Sequence, residues 1–241
     1  MPAYEEGEAV VAAIERVLGA VNTPCELLVV YDSPEDSTAK FLTRHAEGEP
    51  RLRPMLSTYG RGPARAIRFG FDRCRGDVVV VTMADGSDDP HQIDQLTHLI
   101  ERGVAVAAAS RYMPGGRLVG GPRLKGLISR LAGLSLNWLA GVGTRDATNS
   151  FKAYSRQFVE DVGITSDAGF EVGIELVAKA RRLRLPVAEI PTIWLDRVSG
   201  QSNFALRQWL GRYLRWYFFA FGPRLTAERV RAATASGERM A

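Results

Sequence analysis

The stretch best suited to chemistry is residues 77–90, Asp-Val-Val-Val-Val-Thr-Met-Ala-Asp-Gly-Ser-Asp-Asp-Pro. The β-branched run from Val78 to Thr82 reads as a buried strand that ends in a carboxylate cluster just ahead of Pro90. Ligands of open α/β sheets bind at the carboxyl ends of the strands, where acidic side chains can hold a divalent cation and a diphosphate. Asp89 has a simpler duty, capping a helix that takes Pro90 at its first position. Asp85 lies beyond the strand and ahead of that cap, so it is the first residue to which a function is assigned. Asp32 stands at a second strand end, where it would accept a hydrogen bond from a ribose hydroxyl or a base N–H, or simply serve the turn before Pro34.

Arg111, Arg130 and Arg197 are the candidate cations. A guanidinium group meets phosphate oxygens in bidentate fashion and stays charged at any relevant pH. Taken singly, each is better explained as half of a surface ion pair. Arg197 follows Trp194-Leu195-Asp196 and precedes Gly200, which aims it from a strand end. No Ser–His or Cys–His pair suggests an activated nucleophile. Cys25, Cys74 and the scattered His45, His91 and His98 lack the spacing of a zinc site.

Alternating strands and helices must position these residues. Apolar positions at helical spacing mark a helix over residues 8–19. Residues 26–31 read as a strand, and Asp36 caps a helix through His45. Residues 53–56 are a candidate strand, 62–74 a helix, 78–82 the strand already described, 90–101 a helix and 104–109 a strand. This order implies βαβ units and a mainly parallel, doubly wound sheet. From Leu124 the pattern turns to longer helices, 124–140 and 170–184, with a short strand pair over 187–195; that half reads as an acceptor side or lid. Met1-Pro-Ala-Tyr4 stands where such a sheet has just finished its first strand, so either the sheet lacks that strand or translation starts upstream.

The chain has 241 residues, 46% of them hydrophobic and 24% charged, which fits one α/β domain and excludes disorder. A net charge of +4 suits anionic ligands or an anionic membrane and is too weak to argue for nucleic acid. With no signal peptide and no long uncharged apolar stretch, a cytoplasmic location is expected, peripheral on the inner face of the cytoplasmic membrane.

Eight segments in order resemble the family 2 glycosyltransferases, specifically the dolichol-phosphate mannose synthase branch and its bacterial polyprenyl-phosphate relatives. Pro2-Ala-Tyr-Glu-Glu6 is similar to the family's Pro-x-Tyr-Asn-Glu loop, and Val30 to Thr38 to its Val-Asp-Asp-Gly-Ser-x-Asp-Gly-Thr segment. Met83-Ala84-Asp85 stands where the family has Asp-x-Asp. Ser110-Arg-Tyr112, Ser129-Arg130, Asp146 to Phe151, Gly169-Phe170 with Glu175, and Asp196-Arg197 with Gly200-Gln-Ser202 follow, so the likeness runs from Pro2 to about Phe204.

The resemblance implies a GT-A fold, Rossmann-like, with a nucleotide sugar as donor and a polyprenyl phosphate as acceptor. Pro2, Tyr4 and Glu6 would meet base and ribose, with Val30 and Asp32 beside them. Asp85, helped by Ser87 and next to Ala84, would hold Mg²⁺ or Mn²⁺. Arg197 and Ser202 would grip the donor diphosphate, and Arg111 and Arg130 the acceptor phosphate. A phosphate monoester has a second pKa near 6, so such an acceptor is already anionic at neutral pH and needs no strong base. Asp146 and Glu175 then read as orienters of loops and arginines.

Mannose from GDP-mannose is the leading donor. Three departures from the pattern, Met83, Tyr31 and Asn203, keep two alternatives open. One is a UDP-glucose-dependent glucosyltransferase of the same acceptor; the other is a weakened nucleotide-sugar-binding regulatory subunit. A transferase acting on a hydroxyl acceptor would instead need Asp146 as a general base. A homo-oligomer is possible.

The catalytic domain is expected over residues 1–203. Residues 204–222 would form an interfacial amphipathic helix, with Arg207, Arg212 and Arg215 on one side and Trp209, Leu210, Tyr213, Trp216 and Tyr217 on the other. Residues 223–241 read as a polar, flexible tail.

Overall fold

The computed structural model describes residues 1–196 and 206–235. In chain order they form α1 (Ala9–Ala20), β1 (Leu27–Tyr31), α2 (Ala39–Ala46), β2 (Leu52–Leu56), α3 (Pro63–Arg73), β3 (Val78–Val81) and α4 (Ile93–Glu101). There follow β4 (Val106–Ser110), β5 (Arg117–Val119), α5 (Arg123–Ser135), β6 (Lys152–Ser155), α6 (Arg156–Val162), α7 (Val172–Leu183), β7 (Val187–Pro191), β8 (Ile193–Leu195), α8 (Leu206–Phe219) and α9 (Ala227–Ala235). A 3₁₀ turn, Pro90–Gln92, leads into α4, and a π-helical turn, Leu136–Ala140, continues α5.

The central sheet has four strands in the order β3-β6-β4-β7. β4 and β7 are parallel, while β6 runs antiparallel to both β3 and β4. Three strands therefore share one direction, as a doubly wound fold requires, and β6 is the exception. It is reached by a long excursion through β5 and α5, so no crossover helix is needed to lay it beside its neighbours. β1 and β2 form a separate parallel pair, and β5 pairs with β8. The strand pair expected over residues 187–195 is thus two strands of different sheets.

β4 reads Val-Ala-Ala-Ala-Ser and is buried throughout, because both faces of the sheet are covered. Alternate residues face two apolar cores: Val106 and Tyr154 point to one with Leu176 and Trp216, whereas Ala107 and Ala153 point to the other with Ile14 and Leu96. The helical stripe of α1, Val10, Ile14, Val17 and Leu18, is buried as its spacing predicts.

The C-terminal region differs from expectation in two ways. The aromatic side of α8 does not face out: Trp216 and Phe219 are buried, and the Trp216 indole N–H donates to Ser166 Oγ at 3.1 Å. Tyr213 and Tyr217 pack on the same core, and what α8 exposes is a stripe of Leu210, Leu214 and Phe218, with Phe221 just beyond its end. Residues 227–235 are helix rather than tail, because Val230 and Thr234 are buried as α9 packs against α6 and α7. The Trp209 and Arg207 side chains, and the tail from residue 236, lie outside the described residues.

Candidate active site

The turn after β3 is the centre of the site. The Ser87 amide donates to Asp85 Oδ1 at 3.0 Å, which closes the turn around Gly86 at φ +71. Arg16 of α1 donates to the Gly86 carbonyl at 2.9 Å, tying α1 to this turn. Asp88 supports it from below, accepting from Thr82 Oγ1 at 3.1 Å and from the Met83 amide at 2.9 Å. Burial, with Asp85 adding repulsion, pushes the Asp88 carboxyl up to about 7. Asp89 accepts from the His91 amide at 3.1 Å with Pro90 at the first helical position, the cap its sequence predicts.

The hydroxyl of Ser87 is buried and has no hydrogen-bond partner, and Asp32 Oδ1 is in the same condition. Buried polar atoms in native proteins are rarely left so, and Gln92 Oε1, Glu171 Oε2 and Thr192 Oγ1 share this condition. The other oxygen of Asp32 accepts from the Gly62 amide at 2.9 Å. Asp32 is therefore fixed between β1 and α3 rather than spent on the turn before Pro34.

Pro2 pairs with Val30 of β1 through an isolated parallel bridge, and beyond the buried Ala3 the chain turns toward solvent. Tyr4 is 55% exposed. The Glu5 amide donates to Asp36, and the Glu6 amide to Thr38 Oγ1 at 3.0 Å. Asp36, expected to cap α2, accepts from the Thr38 amide at 2.8 Å just ahead of that helix and, being buried, also clamps the residue 2–6 loop.

On the far side of β6, Arg111 follows β4. Its Nε donates to Asp146 Oδ2 at 2.7 Å and its Nη2 to Asp146 Oδ1 at 2.9 Å, and its amide reaches the same carboxylate at 3.0 Å. Asp146 is fully buried. Burial alone would raise its carboxyl pKa, but Arg111 and its hydrogen bonds hold it below the usual range. The guanidinium fork of Arg111 is thus largely used by Asp146. Ser129 and Thr148 line its outer edge, with hydroxyls 2.6 Å apart.

Lys152 is buried beside them and donates to the Ala147 carbonyl at 3.2 Å; burial lowers its pKa to about 7. Arg130 is exposed on α5 next to Ser129. Glu175 does not face solvent: it pairs with Lys179 at 2.6 Å and accepts from the amides of Thr165 and Ser166. It anchors the loop ahead of α7.

α5 is held over this half by a close approach. A Cβ on Gly133 would sit 2.0 Å from the Arg145 carbonyl oxygen, so only glycine lets the helix rest on the loop that carries Asp146. α5 nevertheless exposes Leu124, Leu127, Ile128 and Leu131, and the π turn adds Trp138 and Leu139, all between 40% and 75% accessible. Ser135 Oγ lies 2.9 Å from the Tyr217 hydroxyl, which brings the end of α5 beside α8. This apolar face carried no distinctive sequence signal, because apolar residues at helical spacing normally mark the buried side.

The strand end that leads to Arg197 is also placed. The Leu195 amide donates to the Ser87 carbonyl at 3.4 Å, and the Asp196 amide to Val119 at 2.9 Å. Leu195 therefore lies beside the Asp85 turn. Arg197 and Ser202 themselves lie outside the described residues, as does Asn203.

A divalent cation fits this donor set. Asp85 and Ser87 offer hard oxygens, and among the described residues no group of three or more His, Cys, Asp or Glu side chains could hold a metal alone. Such a site suits an ion of the Mg²⁺ type, which takes one or two protein carboxylates and fills its shell with phosphate and water.

Residues 1–163 match the family model for glycosyl transferase family 2. Polyprenol monophosphomannose synthase of Mycolicibacterium smegmatis is 30% identical over 228 residues, covering 90% of this chain and 84% of that protein. Undecaprenyl-phosphate mannosyltransferase of Micrococcus luteus is 27% identical over 210 residues, covering 85% of this chain and 86% of that one. Among solved structures, glucosyl-3-phosphoglycerate synthase from Mycobacterium tuberculosis in complex with UDP superposes with a TM-score of 0.66 at 17% identity, over 93% of this chain and 79% of that one. That last likeness establishes a shared fold.

Proposed function

This chain belongs to glycosyl transferase family 2, and on that premise we propose that it transfers a hexose, mannose from GDP-mannose in first place, to a polyprenyl phosphate at a membrane surface. A phosphate oxygen of the acceptor would attack the anomeric carbon as the bond to the nucleoside diphosphate breaks, with inversion. Base and ribose would lie on Pro2, Tyr4, Glu6, Val30 and Asp32. Asp85 with Ser87 would hold Mg²⁺ or Mn²⁺, whose charge offsets that of the diphosphate when bound. Ala84 would line the same turn, and Arg197 and Ser202 would act on the diphosphate.

The geometry around Asp146 supports placing the acceptor side there. Because Asp146 takes the fork of Arg111, Arg111 would shape and polarise the pocket, and the exposed Arg130 would supply the mobile cation for the lipid phosphate. Asp146 is buried and its carboxyl is held ionised, so it is a poor proton acceptor. An acceptor that is already anionic needs none.

The observation that carries the lipid half of this reading is the apolar face of α5 with the π turn, set beside Ser129 and Arg130. An exposed patch of six large apolar side chains on one short element is the mark of a docking surface, and Trp among leucines suits the headgroup boundary. The outer stripe of α8, Leu210, Leu214 and Phe218, with Phe221 just after it, would extend it. Among the described residues no helix is long and apolar enough to cross a membrane, so contact would be peripheral.

Incubation of the protein with GDP-mannose, Mn²⁺ and polyprenyl phosphate in liposomes tests the reaction, with UDP-glucose in parallel. Formation of the mannosyl phospholipid is expected. Glucose transfer alone would reassign the donor, and nucleotide-sugar binding without transfer would favour the regulatory subunit. Co-sedimentation with anionic vesicles tests the surface: Leu127→Ser with Leu131→Ser should weaken binding at least about tenfold, by loss of two apolar side chains. Unchanged binding would move the membrane contact away from α5.

A further inference from the structure

We propose that an open depression at the C-terminal end of α7 takes the phosphodiester headgroup of an acidic membrane phospholipid, an inference that rests on the membrane reading above. The depression holds about 400 Å³ and is lined by residues 141–143 after the π turn, by Arg181 and Arg184 at the end of α7, and by Val187 of β7. It is separate from the acceptor pocket. Val187 pairs with Val106 at the start of β4, whereas Arg111 follows the end of that strand. α5 and its π turn run between the two places, exposing apolar side chains from Leu124 to Leu139.

The backbone builds the hollow. A Cβ on Gly143 would stand 2.9 Å from the Val187 carbonyl oxygen, so this loop lies directly on the start of β7. Val142 beside it is buried and, with Val187, makes the depression partly apolar.

The cations are unmatched. Arg184 follows the last turn of α7 at φ +58, its amide donating to the Arg181 carbonyl at 3.1 Å. Helices commonly place glycine at such a left-handed position, because a Cβ there is strained. An arginine costs stability that a glycine would not, and its exposed side chain makes no hydrogen bond or ion pair among the described residues. Arg181 donates through Nε to the Ala140 carbonyl, and neither of its Nη nitrogens makes a bond among the described residues. Arg224 is exposed close by, since the amide of Leu225 donates to the Arg182 carbonyl at 2.8 Å. The acids of the adjoining elements, Glu175 and Glu189, are engaged by Lys179 and Arg145, and no acid lines the depression. Guanidinium groups without a carboxylate partner suit phosphate oxygens.

The surroundings of these cations favour a lipid as the source of that phosphate. Trp138 and Leu139, 75% and 74% accessible, lie just before Gly141. On the other side the exposed Phe221 adjoins Gly222, which packs against the Arg182 guanidinium. Large apolar side chains around arginines match the boundary between headgroups and acyl chains.

The test measures partition of the full chain onto vesicles of phosphatidylcholine alone and of phosphatidylcholine mixed with phosphatidylglycerol. Arg184→Gly removes the cation where glycine relieves strain, so this variant should fold with an unchanged or higher Tm. Its partition onto the mixed vesicles should fall about fivefold at low salt, the effect of one arginine at an anionic surface. Partition onto neutral vesicles should not change, and high salt should erase the difference. Turnover of a short water-soluble polyprenyl phosphate should match that of the unaltered chain. Arg44→Ser, which removes an exposed cation from α2, should leave vesicle binding nearly intact.

Unchanged binding of Arg184→Gly to the mixed vesicles would overturn the site. An equal loss in Arg44→Ser would overturn it too, by making the attraction diffuse. Thermal stabilisation by inorganic phosphate that Arg184→Gly abolishes, with vesicle binding unaltered, would make free phosphate the ligand instead of a lipid. An unaltered chain that binds neither kind of vesicle would refute the membrane reading and this site with it.

Discussion

Replacing Asp146 with Asn separates the positioning of Arg111 from any transfer of a proton. The carboxylate is fully buried and accepts from Arg111 Nε at 2.7 Å, Arg111 Nη2 at 2.9 Å and the amides of Arg111 and Asn149 at 3.0 and 3.2 Å. Removing one partner of such a pair leaves the other charge buried and costs about 3–5 kcal/mol. For a domain of this size each kcal/mol shifts Tm by roughly 2–4 °C, so a fall of roughly 6–20 °C is expected, toward the lower end because the amide oxygen still accepts one bond. The variant should lose kcat as the Arg111 pocket relaxes, yet keep the shape of its pH–rate profile and its affinity for nucleotide sugar. Differential scanning fluorimetry and kcat measured across the neutral pH range read all of this. A variant with the wild-type Tm and a missing limb in the pH profile would make Asp146 a proton acceptor and refute the reasoning. The pair Arg111→Met with Asp146→Leu should regain part of the lost stability, because it leaves no unpaired charge.

Asp85→Asn should lower kcat by at least about a hundredfold, the scale of losing a principal electrostatic stabiliser, with Tm little changed because the side chain is only partly buried; activity near wild type would remove Asp85 from the site. Gly133→Ala should destabilise by about 1–3 kcal/mol and impair use of the lipid acceptor more than donor binding, since the new methyl would meet the Arg145 carbonyl at 2.0 Å and lift α5; thermal melts and separate titrations of the two substrates check it. Lys152 has a folded pKa of about 7 against 10.5 when unfolded, so over that window the unfolded chain holds a proton the folded one lacks. Stability should therefore rise with pH from about 7 upward, by at most about 1.4 kcal/mol per pH unit, and Lys152→Met should flatten the slope in urea melts.

Most of the fold was legible where local signals agreed with burial. The run Val78–Val81, the capped start at Asp89-Pro90 and the stripe of α1 each carry periodicity or capping that tertiary structure does not override. β6 was not legible. It has four residues, begins with Lys152 and is a strand because β3 and β4 flank it, a contact that no local pattern encodes. α9 was missed for a related reason: its Ala-rich, charged sequence has a weak apolar stripe, and the burial of Val230 against α6 and α7 is what holds it.

The two amphipathic helices show why the site was only half readable. On α8, Trp216 and Phe219 sit on the same surface as residues expected to meet lipid, and a sequence cannot say whether an apolar face meets a membrane or its own domain. Here the indole N–H of Trp216 finds Ser166, and Lys179 stands 5.3 Å from its ring, so the inward face is made specific by polar partners that lie far away in sequence. On α5 the opposite holds. Leu124, Leu127, Ile128 and Leu131 have the spacing of a core stripe, but Gly133 presses the helix's other side onto the Asp146 loop and leaves that stripe outside. The acidic residues divide in the same way: Asp85 could be singled out because a cap accounts for Asp89, whereas the buried support from Asp88 becomes visible only when Thr82 and Met83 fold back over it. Sequence thus exposes groups whose chemistry is local, and three-dimensional contact decides which apolar face stays outside.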